Sequence, residues 1–487
     1  MFQTLNKCST GDCLGSKSFY VQTGDISDLP LLCHYPVKAI YASSDPDYLS
    51  CEKKECRKYN ENGRCEIRTC SATVTFYVIN IRTDIEFVFF AGGFLTPCIL
   101  RRTLPFQFSN PTAPLYGHLS TFDSSGTSMR LTWISGDSKP QRVNYRNGKS
   151  QISEVTTFSQ EDMCMMTGLQ PSTISNYKYG SDAVGWSKEI EFHTPPAGGS
   201  DERNFFIFGD MGKAPFDASI EHYIQPGSVS VVKAMEGEIK NGSIDSIFHI
   251  GDISYATGFP VEWEFFLNLI SPLAFTVSYM TAIENHERDY AGSGDHYLNE
   301  DSGGECGVPH ETYFQMPTAA KDKPWYAIEQ GPVHFAHQWM TKDMASIDRS
   351  KTPWLIFTGT LGNVDDSFRN VVEPVLANKV DLVLFGHVHN YERTCSISNC
   401  QCLAMPEKDE NGVDTYDNGN YKAPVHAIVG MAGFSIQKFS PFVSDWSLIR
   451  ISEYGYVRAH ATRNELMLEF VNSTSRSVID SFHITKN

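Results

Sequence analysis

Five short, largely apolar runs punctuate the middle of the chain: 205–208 (FFIF), 247–250 (IFHI), 279–283 (YMTAI), 354–357 (WLIF) and 382–385 (LVLF). Runs of this length, apolar on both faces and closed by a glycine, a charge or a polar residue, have the pattern of strands covered on both sides. Between them the period changes to that of a helix. Within 228–240, Val231, Val232, Met235 and Ile239 share one face, and 261–269 reads as a second short helix. This alternation predicts an α/β domain opening near Arg203. Upstream, 129–135, 142–145, 175–179 and 188–194 are short strands parted by Gly, Ser and Asp turns. Earlier still, 73–80 and 85–90 are rich in β-branched and aromatic residues and predict strands. After residue 421 the pattern is β again, best at 425–429 and 466–471. The stretches 110–114 (NPTAP) and 195–200 (PPAGGS) are turn-rich joints between these regions.

The residues just beyond the central runs are not ordinary turn chemistry. The run 205–208 leads into Gly209-Asp210, 247–250 into Gly251-Asp252 and then Tyr255, 279–283 into Glu284-Asn285-His286, and 382–385 into Gly386-His387 with His389 two positions on. The i, i+2 spacing places both imidazoles on one side of an extended backbone, where they can converge on a metal. Separate loop-capping roles would explain any one of these residues. They do not explain hard oxygen and nitrogen donors at successive strand ends, because an open α/β sheet gathers its ligands outside the carboxyl ends of its strands.

In this order D-x-G, G-D-x-x-Y, N-H-E and G-H-x-H resemble the purple acid phosphatases of the calcineurin-like metallophosphoesterase superfamily, and the tyrosine of GDISY narrows the likeness. PVKAIYASSDPDYLSC, RTDIEFVFFAGG and GPVHF are similar to its large plant-type, nucleotide pyrophosphatase/phosphodiesterase-like subgroup. The resemblance implies a multidomain chain: a cysteine-rich β segment (1–110), a fibronectin type III-like sandwich (111–197), a two-sheet α/β metallophosphoesterase sandwich (201–405) and a β-rich C-terminal domain (421–484). Gly168 to Thr173, ahead of Tyr177 and Tyr179, is similar to the tyrosine corner of such a sandwich.

The implied activity is hydrolysis of phosphate monoesters, and of nucleotide diesters or pyrophosphates, at a binuclear centre. Asp210, Tyr255 and His389 resemble the ligands of ferric iron, and Asp252 is placed to bridge. Asn285 and His387 resemble ligands of a divalent zinc, manganese or iron(II). His286 would face the phosphoryl oxygens as proton donor or charge stabiliser, or orient a carboxylate.

Several positions depart from the family pattern. Thr360 stands where a histidine ligand of the divalent ion is expected, and a neutral hydroxyl is a poorer donor, so the second site should be weakened. Glu284 replaces a glycine; if that position needs positive φ, the replacement costs on the order of 1 kcal/mol, and it brings a new carboxylate to the site. The chain is short between Phe335 and Trp339, where another histidine is expected, with His337 and Asp365 as the nearest substitutes. It is also short around Met163-Cys164-Met165, by about one strand and its loop. These departures set a second reading beside the first: a catalytically impaired relative or truncated gene product.

Composition adjusts the picture in three places. The formal charge of −17 argues against a nucleic-acid polymer as partner and makes an anionic ester depend on local attraction by the metals. With three anionic ligands and one hydroxide, an iron(III)–divalent pair would keep about +1. Eight of the thirteen cysteines precede residue 100, and the spacing of Cys51, Cys56, Cys65 and Cys70 favours disulfides over a zinc site. Cys395, Cys400 and Cys402 are expected to close a small loop behind the histidine pair. Asn241 and Asn472 lie in glycosylation sequons, which fits a secreted or cell-wall protein. The first residues show no signal-peptide h-region and no stretch is long enough to span a bilayer, so a membrane partner is not expected. A small phosphate ester is the expected partner; oligomeric state is left open.

Overall fold

The computed structural model describes residues 53–486 with internal omissions, the longest at 215–224, 289–301, 338–345 and 360–371. The chain divides into two units, residues 1–111 with 214–224, and 112–213 with 225–487. In the first, Lys53–Tyr59 pairs antiparallel with Cys65–Ser71, and Val88–Ala91 with Cys98–Arg102. Cys65 is disulfide-bonded, as the spacing argument favoured. The strand expected over 73–80 falls largely outside the described residues, and its described part, 77–80, is not a strand. Only an isolated bridge from Ile85 to Phe106 and the strand Val88–Ala91 occupy the second expected stretch.

The second unit begins with two antiparallel sheets built from residues 115–193. One has the order Leu115–Thr121, Ser128–Ile134, Glu161–Thr167, Glu154–Thr156. The junction where a strand was expected to be missing is bridged by one continuous strand, Glu161–Thr167, paired residue for residue with Ser128–Ile134. Trp133, Tyr177 and Tyr179 fill the space between the sheets, and the Gly117 amide donates to Tyr179 Oη at 3.0 Å. These sheets also brace the α/β region. Tyr177 Oη donates to the Phe275 carbonyl, and Thr121 and Ser278 share a hydroxyl–hydroxyl bond of 2.6 Å.

The α/β region carries the strands that the apolar runs predict, β1 (Glu202–Phe208), β2 (Ser246–Ile250), β3 (Ser278–Ala282), β5 (Trp354–Gly359), β6 (Leu382–Phe385) and β7 (Val425–Val429), and one that no run marked, β4 (Val333–His337). β3, β2 and β1 run parallel in one sheet, and β4 to β7 run parallel in the other. Every residue of β2, β3, β4, β5 and β6 is buried, which is why 247–250, 279–283, 354–357 and 382–385 read as largely apolar runs. Helix α1 (Pro226–Ile239) follows β1 and helix α2 (Pro260–Ala274) follows β2.

Residues after 421 do not stand apart from this region. β7 lies beside β6 within the second sheet, and Gly455–Thr462, Glu465–Asn472 and Val478–Thr485 extend the first sheet from the edge of β1. One apolar core lies between the sheets, with Phe248 and Phe335 stacked at 3.9 Å between ring centroids. Among the described residues no helix is long and apolar enough to cross a membrane.

Candidate metal centre

The donors leave the sheets at one end. Asp210 and Asp252 each stand two residues beyond the last residue of β1 and β2, His387 two beyond β6, and Glu284 two beyond β3. A glycine precedes Asp210, Asp252 and His387, and each of the three then turns left-handed, with φ of 60°, 47° and 69°. Tyr255 does the same at 51°. For a residue with a Cβ this costs about 1–2 kcal/mol, a cost tolerated where it aims a functional side chain. The turn at His387 also corrects the expectation of an extended backbone: the two imidazoles diverge and join different groups of donors.

One group is Asp210, Asp252 and His389, all buried; the other is Asp252, Glu284 and His387. In each, one ligand atom per residue lies within 4.8 Å of the others. His389 Nε2 is 3.2 Å from Asp210 Oδ1, and Tyr255 Oη is 3.1 Å from the same carboxylate oxygen, 3.3 Å from Asp252 Oδ2 and 3.1 Å from His389 Nε2. On the other side, His387 Nδ1 is 3.0 Å from Asn285 Oδ1 and 3.6 Å from Glu284 Oε1. Asp252 is common to both groups. Its Oδ1 accepts the His286 amide at 3.1 Å, while the His286 ring lies tilted 4.3 Å from that of Tyr255.

This donor set fits a pair of cations. Asp210, Asp252 and Glu284 are buried carboxylates at one place, and no Lys or Arg among the described residues forms an ion pair with them. Burial, opposed by hydrogen bonds from neighbours, raises the Asp210 carboxyl above its ordinary range, and burial raises that of Asp252. Tyr255 is pushed well above the ordinary phenol value by burial and then by the nearby carboxylates. Bound cations reverse this logic by favouring the anionic forms.

A pH-dependent effect arises in the metal-free protein. A carboxyl whose folded pKa is raised holds a proton that the unfolded chain releases near pH 4, so it subtracts stability as pH rises from there toward neutrality. The Tm of metal-free Asp210→Asn protein should therefore exceed that of the metal-free parent by more at pH 7 than at pH 5. Buried neutral histidines such as His310 and His337, held near 3 and 4 chiefly by burial, cancel in this difference. A gap that narrows with rising pH would contradict the assignment.

His337 does not substitute for the histidine expected near residue 337. It is buried at the end of β4, its Nδ1 is 3.1 Å from Thr358 Oγ1, and it belongs to neither donor group. Strand pairing, which sets His337 opposite Thr358, holds it there. Thr360 and Asp365 lie outside the described residues. Glu284 adopts no positive φ, so the strain expected of it is not present.

Asn241 is exposed in the turn after α1. Asn472 is buried, its amide nitrogen bonded to Glu453 and its oxygen accepting the Thr474 and Ser475 amides, which leaves it poorly placed to carry a glycan. Cys395 and Cys402 form a disulfide, closing the small loop expected behind the histidines.

Two further neighbours belong to none of the motifs, and a third, Glu287, closes the N-H-E motif without having been given a role. Phe434 stacks on Tyr255 at 3.7 Å with the rings 4° from parallel, and Ser435 Oγ meets His389 Nδ1. Both come after β7, whose apolar run also ends at a glycine, so their sequence signal is the same one that marks the other strand ends. Glu287 ties two site loops together by accepting the Ile253 amide at 2.8 Å and the Glu284 amide at 3.2 Å.

Comparison with known proteins agrees with this geometry. The calcineurin-like phosphoesterase family matches residues 203–391, and the iron/zinc purple acid phosphatase-like C-terminal family matches 423–481. The Fn3-like domain from purple acid phosphatase matches 8–110, ahead of the two sheets formed by residues 115–193. The chain is 33% identical to an Arabidopsis thaliana protein named "Probable inactive purple acid phosphatase 27", over 95% of this chain and 81% of that one. It is 32% identical to a Hordeum vulgare protein named nucleotide pyrophosphatase/phosphodiesterase, over 63% of this chain and 89% of the other. Among solved structures, the purple acid phosphatase PPD1 from yellow lupin (Lupinus luteus) seeds superposes with a TM-score of 0.75 at 34% identity, covering 84% of this chain and 80% of that one. Strand-end donors, a paired set of ligand groups sharing Asp252, and likeness over nearly the full length lead to one conclusion: the chain belongs to the purple acid phosphatase family of calcineurin-like phosphoesterases.

Proposed function

We propose that this protein hydrolyses small phosphate monoesters, and nucleotide diesters as a second substrate class, at a two-metal centre formed by the strand-end residues. The observation that carries the reading is the Asp252 carboxylate shared between two separate donor groups. Asp210, Tyr255 and His389 would hold ferric iron, for which carboxylate and phenolate are hard anionic donors. Asn285 and His387, with Asp252, would hold a divalent zinc, manganese or iron(II). When bound, such a pair supplies Lewis-acid activation of a water and of the ester oxygens.

The chain's own groups supply the rest. The His286 amide fixes Asp252 Oδ1, and its ring, half-buried beside Tyr255, is the group placed to give a proton to the leaving alkoxide or to oppose charge developing on the phosphoryl oxygens. Phe434 covers one face of the buried Tyr255 ring. The Ser435 hydroxyl and the His387 amide orient His389 and Asp210 respectively. Residues 111–197 would act as a scaffold that steadies β3, the strand that leads into Asn285 and His286. Secretion, with Asn241 as the glycan acceptor, accords with the disulfides.

Metal-loaded protein should turn over an aryl phosphate at acid pH and show a visible tyrosinate-to-iron absorption band. Tyr255→Phe should abolish that band while leaving the fold intact by circular dichroism. A band that survives the substitution would remove Tyr255 from the iron site. A second reading, a folded relative without useful turnover, is favoured by Thr360 in the place of an imidazole donor; it predicts at most one tightly held ion.

A further inference from the structure

Glu284 has no part in the two-metal centre as proposed, yet it is among the most constrained side chains there. Its side chain is 1% exposed, and neither carboxylate oxygen has a hydrogen-bond partner among the described residues. A buried carboxylate left in this state carries the full cost of its lost hydration. The space it occupies is cut for it by two strand-end glycines. A Cβ on Gly251 would meet Glu284 Oε2 at 2.5 Å and one on Gly386 would meet it at 3.2 Å. The backbone around it is tied down as well: the Glu284 amide donates to Glu287, and its carbonyl accepts from the Glu287 and Arg288 amides at 3.1 and 3.0 Å. The carboxylate thus points into the donor cluster, where it completes a group with Asp252 and His387.

The geometry points to Glu284 as a direct ligand of the second, divalent ion, an assignment that rests on the two-metal function proposed for the centre. The second site then consists of Asp252, Glu284, Asn285 and His387: three oxygen donors and one imidazole. Such a set is harder than one with a second imidazole, and carboxylate and amide oxygens suit manganese(II) or magnesium better than they suit zinc. Glu284 therefore compensates for Thr360 in donor number but not in softness. It also adds a fourth anion to Asp210, Asp252 and Tyr255, so a trivalent–divalent pair keeps about one unit of positive charge before any hydroxide and about none after it. Weaker retention of phosphate than in a centre lacking this carboxylate results from that charge.

The test is equilibrium dialysis of the metal-stripped full chain against manganese(II) chloride and, separately, zinc chloride, with bound metal measured by elemental analysis and manganese(II) followed by electron paramagnetic resonance. The parent should bind both ions of either metal. Glu284→Gln, which keeps the side-chain volume and removes an unpaired buried charge, should lose at least about tenfold in manganese(II) affinity at one site and less for zinc. Glu284→Asp, which keeps the carboxylate, should recover part of the manganese(II) affinity. Circular dichroism and a metal-free Tm no lower than the parent's would show that Glu284→Gln is folded. Unchanged manganese(II) binding in folded Glu284→Gln overturns the ligand role and leaves the two-metal reading standing. A parent that binds neither metal overturns both.

Discussion

Replacing Asp252 with asparagine should strip both ions from the protein. The carboxylate is the one group common to the two donor sets, with Oδ2 3.3 Å from Tyr255 Oη on one side and Oδ1 accepting the His286 amide on the other. Asparagine keeps the size and the acceptor for the His286 amide, but it offers a single neutral oxygen to two cations. Loss of a ligand's outer partners costs about 10–100-fold in metal affinity, and loss of a shared ligand should exceed that range at both sites. Elemental analysis after dialysis reads the effect directly. Metal-free Asp252→Asn should fold at least as well as the metal-free parent, because the substitution removes a carboxyl that burial disfavours in its charged form. A full metal complement in this variant would mean that the two donor groups do not describe the centre.

The largest expected loss of stability lies four residues beyond His389, on the strand Tyr391–Ser398. Arg393→Met should destabilise the protein by about 3–5 kcal/mol, because it leaves the buried Asp480 carboxylate without its cation, while Asp414 keeps Lys408 at 2.6 Å. The Arg393 guanidinium is 1% exposed and donates to both oxygens of Asp480, at 2.8 and 2.9 Å, and to Asp414 at 2.8 Å. It also donates to Tyr416 Oη at 2.8 Å, while Tyr391 Oη donates to Asp480 at 2.7 Å. Arg393 lies on Tyr391–Ser398 in the second sheet, whereas Asp480 and Asp414 lie on strands of the first, so one cation joins the two sheets across their core. Thermal unfolding should shift down by roughly 4–7 °C, because a unit of this size unfolds with a large entropy. The double variant Arg393→Met, Asp480→Asn should lose less than the sum of the single losses, since removing both partners leaves fewer unpaired charges. Additive losses would show that the pair contributes nothing specific.

Much of the candidate centre is legible in the sequence because each of its donors sits two to five residues beyond a buried strand. A buried parallel strand must be apolar on both faces, and its last residues must hand the chain to a polar loop, so the run and the donor appear together. Asp210, Asp252, Tyr255, Asn285, His286, His387 and His389 all carry this signal, and they meet at one end of the two sheets. Val425–Val429 carries it too, and with it Phe434 and Ser435, but the stretch after 421 has the local pattern of a separate tail. Strand order is not written in local sequence: Val425–Val429 is buried beside Leu382–Phe385 although about forty residues intervene, and pairing across that distance depends on the whole sheet.

The order of elements, the identity of the candidate donors and the family likeness were determined by the sequence alone, because each rests on side-chain type and on spacing over a few residues. Three matters were decided only by the tertiary structure. The backbone at His387 is left-handed, where the i, i+2 spacing alone reads as extended. His337 is held away from the centre by its pairing with Thr358. Glu284, which in the sequence looked like a strained intruder, sits unstrained between two glycines and faces the ligands. In each case the direction of a side chain depends on a backbone torsion or on a neighbour from another strand. That information exists only once the strands are packed together.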